Sequence, residues 1–206
     1  NAKMKRAAYK LILFFVFSVM AVLPLSGCQS PEDAASDAFS DMMYAIQTGD
    51  KAEISEYFDM DSTAEFGFSN ASNSDELLDK ICAVLKLVKY DRFAVEKQDD
   101  STCNVTVKVT GLDMPSVMDS YLDKISRLVS SPEYQDRISS MSMNEYSTLL
   151  AEQMIEVLSQ ENLPLCETEL KLSMVKENGK WVPGPDKDSF MNLLFGNLLN
   201  ATSSLM

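Results

Sequence analysis

Apolar positions along this chain repeat with two different periods, and the switches between them mark out the elements. From residue 31 the period is helical. Ala35, Phe39, Met42 and Ile46 recur at intervals of four, three and four, one stripe of one helix. Ser30 stands where a cap is expected, Pro31 suits the first helical position, and Glu32 and Asp33 favour the positive helix end. Gly49 stops this helix. Asp50 and Glu53 offer a capping box for a short second helix carrying Ile54, Tyr57 and Phe58. Residues 59–74 are rich in Asp, Ser, Asn and Ala, with Phe66 and Phe68 alternating, which predicts a loop or a short edge strand. Asn73 and Glu76 supply another capping box, for a helix through Val88 that turns Leu77, Leu78, Ile81, Val84, Leu85 and Val88 inward.

The period then changes to two. Phe93 and Val95 open a strand, and Asp99-Asp100-Ser101 forms the turn. Cys103, Val105, Val107 and Val109 alternate with Asn104, Thr106, Lys108 and Thr110, so this hairpin buries one face. From Pro115 to about Asn162 the pattern is helical again, as a pair. Val117, Tyr121, Ile125 and Leu128 form one stripe, broken near Ser130-Ser131-Pro132. Leu149, Leu150, Met154, Ile155 and Leu158 form the next, which Pro164 ends. A second hairpin places Cys166, Thr168, Leu170, Leu172 and Met174 on one face, turns at Asn178-Gly179 and returns through Trp181-Val182. A last helix, about 187–200, carries Phe190, Leu193, Leu194 and Leu198. Antiparallel strands segregated from helices predict an α+β domain with a sheet of about four strands and an inserted helical pair, not a parallel doubly wound sheet.

The first 27 residues follow a different pattern. Residues 1–3 (Asn-Ala-Lys) precede Met4, the expected initiator, and read as an expression scar. Lys5, Arg6 and Lys10 make a basic start. Leu11–Leu23 is an apolar run, shorter than the ~20 residues a spanning helix needs. Leu25-Ser26-Gly27-Cys28 follows at once, where a secretory signal would carry its cleavage site. This stretch resembles the signal and lipobox of bacterial lipoproteins. The resemblance implies cleavage between Gly27 and Cys28, lipid on the Cys28 sulfur, and acylation of the new amino terminus with a chain such as palmitate. A transmembrane anchor, or a signal peptide with an incidental cysteine, are the alternatives. The expected division is therefore a leader at 1–27 and a single α+β lipoprotein domain at 28–206. Two residues separate Cys28 from the first helix, a span on the order of 7 Å when extended. The domain should sit against the membrane.

Charge changes at the same boundary. The leader holds four basic residues (Lys3, Lys5, Arg6 and Lys10) and no acid, which leaves 14 Lys+Arg against 31 Asp+Glu, a net of −17. Such a surface repels nucleic-acid phosphates and anionic headgroups, so nucleic-acid binding is excluded and membrane residence must come from acyl chains on Cys28. The chain has no histidine, which removes the commonest general base and transition-metal ligand. Cys82, Cys103 and Cys166 form no C-x-x-C pair, so neither a zinc nor a redox motif is present. A Cys103–Cys166 bridge and three unpaired buried side chains are both open readings.

Other candidate chemistry is sparse. Asp59-Met60-Asp61-Ser62-Thr63 begins like a calcium loop, but Ala64 stands where glycine is needed and Asn70 where glutamate is needed. Asp99-Asp100 and Asp186-x-Asp188 read as turn and cap residues. Met114, Met118, Met141, Met143, Met154, Met174 and Met191 lie largely on apolar stripes. They suit either core filling or a malleable groove. No phosphate loop or nucleophile elbow occurs, and no cofactor or metal is implied.

The lipobox, "Ala-Ile-Gln-Thr-Gly-Asp" at 45–50 and "Lys-Glu-Asn-Gly-Lys-Trp" at 176–181 resemble bacterial lipoproteins with a nuclear-transport-factor-two-like (cystatin-like) domain. That resemblance implies a curved sheet wrapped with helices into a cone, with Trp181 and Tyr121 as natural pocket walls. The function expected first is an extracytoplasmic, membrane-anchored module that holds an apolar small molecule, a peptide or an envelope protein without catalysis. A structural envelope protein without ligand comes second, and an Asp/Tyr enzyme inside the cone third. A carboxylate facing an apolar cavity beside a Tyr hydroxyl would favour the enzyme.

Overall fold

A computed structural model describes residues 29–58, 68 and 70–196. Gly27, Cys28, Asp59 to Thr63, Phe66 and Leu198 lie outside the described residues. Helix α1, Pro31–Thr48, forms on the predicted stripe, and Ala35, Phe39, Met42 and Ile46 are fully buried. Gly49 ends it at φ +64°, with its amide on the Ile46 carbonyl at 3.1 Å. A β-carbon there would lie 2.9 Å from the Cys82 carbonyl oxygen, so glycine serves both the turn and the approach of the next helix. The Asp50 carboxylate caps the short α2, Lys51–Ile54, accepting from Ala52 N at 2.8 Å and Glu53 N at 3.2 Å.

Helix α3, Ser74–Val84, runs into a 3-10 turn at Leu85–Leu87. The six inward residues of the predicted stripe are all buried. The expected Asn73 cap is not made. Asn73 Nδ2 turns instead to the Thr148 carbonyl at 3.5 Å, and its Oδ1 has no hydrogen-bond partner.

Strands β1 (Lys89–Lys97), β2 (Thr102–Leu112), β3 (Leu165–Glu177) and β4 (Lys180–Pro183) form one antiparallel curved sheet in the order β1-β2-β3-β4. The α+β class is therefore as the sequence predicts. Register puts the alternating apolar residues in rows across the strands: Phe93, Val107 and Leu170; Val95, Val105 and Leu172; Cys103 and Met174. Strand β1 starts at Lys89, four residues before the predicted opening. A bulge between Tyr90 and Phe93 interrupts the two-residue period there, hiding the first part of the strand from pattern reading. Asn178 and Gly179 both have positive φ, +50° and +82°, as a tight hairpin turn of this hand requires.

The predicted helical pair between the hairpins is three helices: α4 (Met114–Ser130), α5 (Pro132–Ser140) and α6 (Met143–Leu158). Pro132 starts α5 as a separate helix, and none of its residues is buried. Ser142 and Glu145 close a full capping box on α6. The insertion leaves and returns at one end of the sheet, where Leu112 faces Leu165 and the Asp113 amide donates to the Pro164 carbonyl at 2.9 Å.

The last helix, α7, is Lys187–Leu194, shorter than predicted. Gly196 at φ +63° closes it, its amide on the Leu193 carbonyl at 2.9 Å. A β-carbon at Gly196 would sit 2.4 Å from the Leu112 carbonyl oxygen, so the chain passes against the end of β2. Helices α1 and α7 cover the inner face of the sheet. Phe39 meets Phe93 at 4.8 Å between ring centroids, Tyr90 at 6.4 Å and Phe190 at 6.3 Å. The outer face carries Asn104, Thr106, Lys108, Glu167, Glu169 and Lys171, partly or fully exposed.

Candidate functional site

The inner face of the sheet is where a conical fold would hold a ligand or run acid–base chemistry. Phe39, Met42, Met43, Leu170, Leu172, Met174 and Phe190 occupy it, each less than 2% exposed. Among the described residues no polar or charged residue is buried. No carboxylate therefore faces this apolar interior among them, the feature that would have favoured the Asp/Tyr enzyme. Tyr121 is buried against the core, and its hydroxyl donates to the Leu150 carbonyl at 3.4 Å. Burial, with Tyr146 nearby, pushes its phenol far up, so it stays protonated at neutral pH. Trp181 is half-buried on β4, packed on the edge of the core.

The acidic pairs do turn and edge work. Asp99 Oδ1 accepts from the Ser101 amide and hydroxyl, both at 2.8 Å, and these bonds hold its carboxyl below the usual range. Asp100 pairs with Lys97 at 2.5 Å. The Asp186 carboxylate accepts from Ser173 N at 3.0 Å and Ser173 Oγ at 3.1 Å. Where β4 ends, it takes over a backbone donor of β3. Asp186 makes no side-chain cap bond on α7, because its carboxylate is turned to β3.

Five of the seven methionines singled out by pattern (Met114, Met118, Met154, Met174 and Met191) are buried in the core, while Met141 is half-buried and Met143 exposed. This is core filling for most of the set. Cys82, Cys103 and Cys166 are all unpaired. Cys103 faces Met174 and Cys166 faces Gly111 on the same ladder, so the two thiols stand roughly 26 Å apart at ~3.3 Å per residue. A bridge spans about 6 Å between α-carbons, so that reading is excluded. Cys166 is only half-buried, its thiol 3.9 Å from the Leu112 carbonyl oxygen.

Two surface clefts stand out among the described residues. One, of about 520 Å³, lies between Gly49, Asp50, Lys51, Ser55, Asp79 and Cys82. Burial first, and Asp79 next, push the Cys82 thiol up to about 11, so it is a poor nucleophile at neutral pH. The other, of about 400 Å³, lies between Ser72, Arg137, Met141, Asn144, Thr148 and Glu152. Thr148 organises it: its hydroxyl accepts from the Ser72 amide at 2.9 Å and donates to the Asn144 carbonyl at 2.8 Å. Sequence reasoning missed this cleft because Ser72 and Thr148 are remote in the chain and neither belongs to a motif. No group of three metal-ligating residues occurs among the described residues, and none of their helices is long and apolar enough to cross a membrane. On the insertion, Leu122 (38%) and Val129 (40%) are exposed on the same face of α4, about two turns apart.

No protein-family model matches the chain, and no curated protein matches it. Among solved structures it is similar to that of ycdA, a candidate lipoprotein from Bacillus subtilis subsp. subtilis str. 168. The TM-score is 0.48 and the sequences are 18% identical, over 81% of this chain and 55% of that one. The chain thus spans about half the length of that protein.

Proposed function

We propose that this chain is a bacterial lipoprotein, anchored through acyl chains on Cys28 to the extracytoplasmic face of a membrane, whose domain is a non-catalytic protein-interaction module. The observation that carries the reading is Leu25-Ser26-Gly27-Cys28 directly after a basic start and a short apolar run. The interaction half is supported by the packed inner face of the sheet, which leaves the outer surface for recognition. A protein or peptide partner on that outer surface is favoured over an enclosed small molecule, and Leu122 and Val129, exposed on one face of α4, are the positions at which to probe for it.

Metabolic labelling with an alkyne analogue of palmitate tests the anchor. The natural chain takes up the label and fractionates with membranes, and Cys28→Ala loses both. An unlabelled natural chain would overturn the proposal. A photo-crosslinking residue at Leu122 tests the module in living cells: a discrete protein adduct is expected. No adduct there or at Val129, together with an apolar compound retained in native mass spectrometry, would replace a protein partner with a small ligand.

A further inference from the structure

The sheet has two unlike ends. At one, the β1–β2 turn (residues 98–101) meets the β3–β4 turn at Asn178-Gly179, and the Lys176 amide donates to the Ser101 carbonyl at 2.8 Å. At the other, β2 gives way to the insertion of α4, α5 and α6. The eleven residues of β2 separate these ends by roughly 33 Å.

Three contacts fix the direction of α1 on this frame. Near its C-terminus, Gln47 Nε2 donates to the Val88 carbonyl at 2.9 Å, next to Lys89, which pairs with Thr110 at the insertion end. Midway, Phe39 packs on Phe93, which pairs with Val107 in the middle of the sheet. Helix α1 also touches β4, which pairs only with the turn-end half of β3. Eight residues of helix cover ~12 Å, so the eight from Phe39 back to Pro31 bring the helix start to the turn end. The charge field agrees: after its own bond to Asp100, the Lys97 ammonium is held in its charged form by Glu32, on the first turn of α1.

We infer that the tethered domain stands end-on to the bilayer, with its two β-turns at the headgroup layer and the helical insertion pointing away. The inference rests on the reading of Cys28 as the lipidated residue. Gln29 and Ser30 alone join that cysteine to α1, on the order of 7 Å of chain, a small fraction of the length of the sheet. The turn end is thereby held beside the acyl anchor. The upright pose carries the roots of the helical insertion, at Leu112 and Leu165, to the side away from the lipid.

Trp181 is the single tryptophan and lies two residues from the Asn178-Gly179 turn, so it reports on that end directly. The test uses the full chain, lipidated in cells and reconstituted into phosphatidylcholine vesicles that carry a dansyl headgroup lipid. Energy transfer from Trp181 is expected to exceed, several-fold, that from a Leu165→Trp, Trp181→Phe double variant whose probe is exposed at the insertion end of β3. Equal transfer from both positions means a domain lying flat, and greater transfer from position 165 means an inverted one. Either result overturns the orientation alone, provided the protein floats with the vesicles. Failure to float overturns the anchor reading, and the orientation with it.

Discussion

Phe39 sits where α1, β1 and α7 meet, in contact with Tyr90, Phe93 and Phe190. Emptying that position removes ring contacts as well as apolar area, because a close-packed interior closes only partly over a hole. Phe39→Ala should cost about 3–5 kcal/mol, and Phe39→Leu distinctly less, read from urea denaturation midpoints at constant slope. Cys82 gives a pH signature. Its thiol lies at about 11 in the folded chain against an ordinary 9.0. Below pH 9 both states hold the proton and the group has no effect. Between pH 9 and 11 only the unfolded chain releases it, so stability falls as pH rises through that window. Urea midpoints across the window should drop less steeply in Cys82→Ala than in the natural chain; parallel curves would refute the assignment.

Among the elements, α5 stands apart because it buries none of its residues. Local opening free energy follows buried apolar contact. Amides of α5 should therefore exchange with solvent earliest among the helices of eight residues or more, and those of β2 and β3 last, in a hydrogen–deuterium experiment. This contrast also marks what the sequence could reveal. Stripes that pack on the sheet, such as Ala35 to Ile46 and Cys103 to Val109, are legible because burial enforces the period. Helix α5 has no such stripe, so the insertion reads as a pair. The early end of α7 was written in Gly196, but Leu198 continues the apolar spacing and masks it. Asn73 has the right residue type for a cap, yet the Thr148 carbonyl from a remote helix claims its amide. The cleft around Thr148 depends wholly on that kind of long-range meeting. The lipobox, by contrast, is contiguous and needs no folding to be recognised.

For the whole molecule, acid excess dominates: 31 Asp+Glu against 18 Lys+Arg over the full chain. Ion pairs such as Lys108–Glu167 lie exposed on the outer sheet face, where each contributes little. Self-repulsion should therefore outweigh them, and added salt, which screens it, should raise the melting temperature at neutral pH. A flat or falling dependence would show that local pairs matter more than net charge. The spacing of the thiols along the β2–β3 ladder has its own sequel. In the native fold Cys103 and Cys166 are kept from each other by distance, so an oxidant cannot join these two thiols within one chain. Heat removes that protection. Molecules unfolded in air should weld into sulfur-linked chains that boiling in detergent leaves intact and dithiothreitol dissolves, whereas samples melted under reductant should recover their structure on cooling.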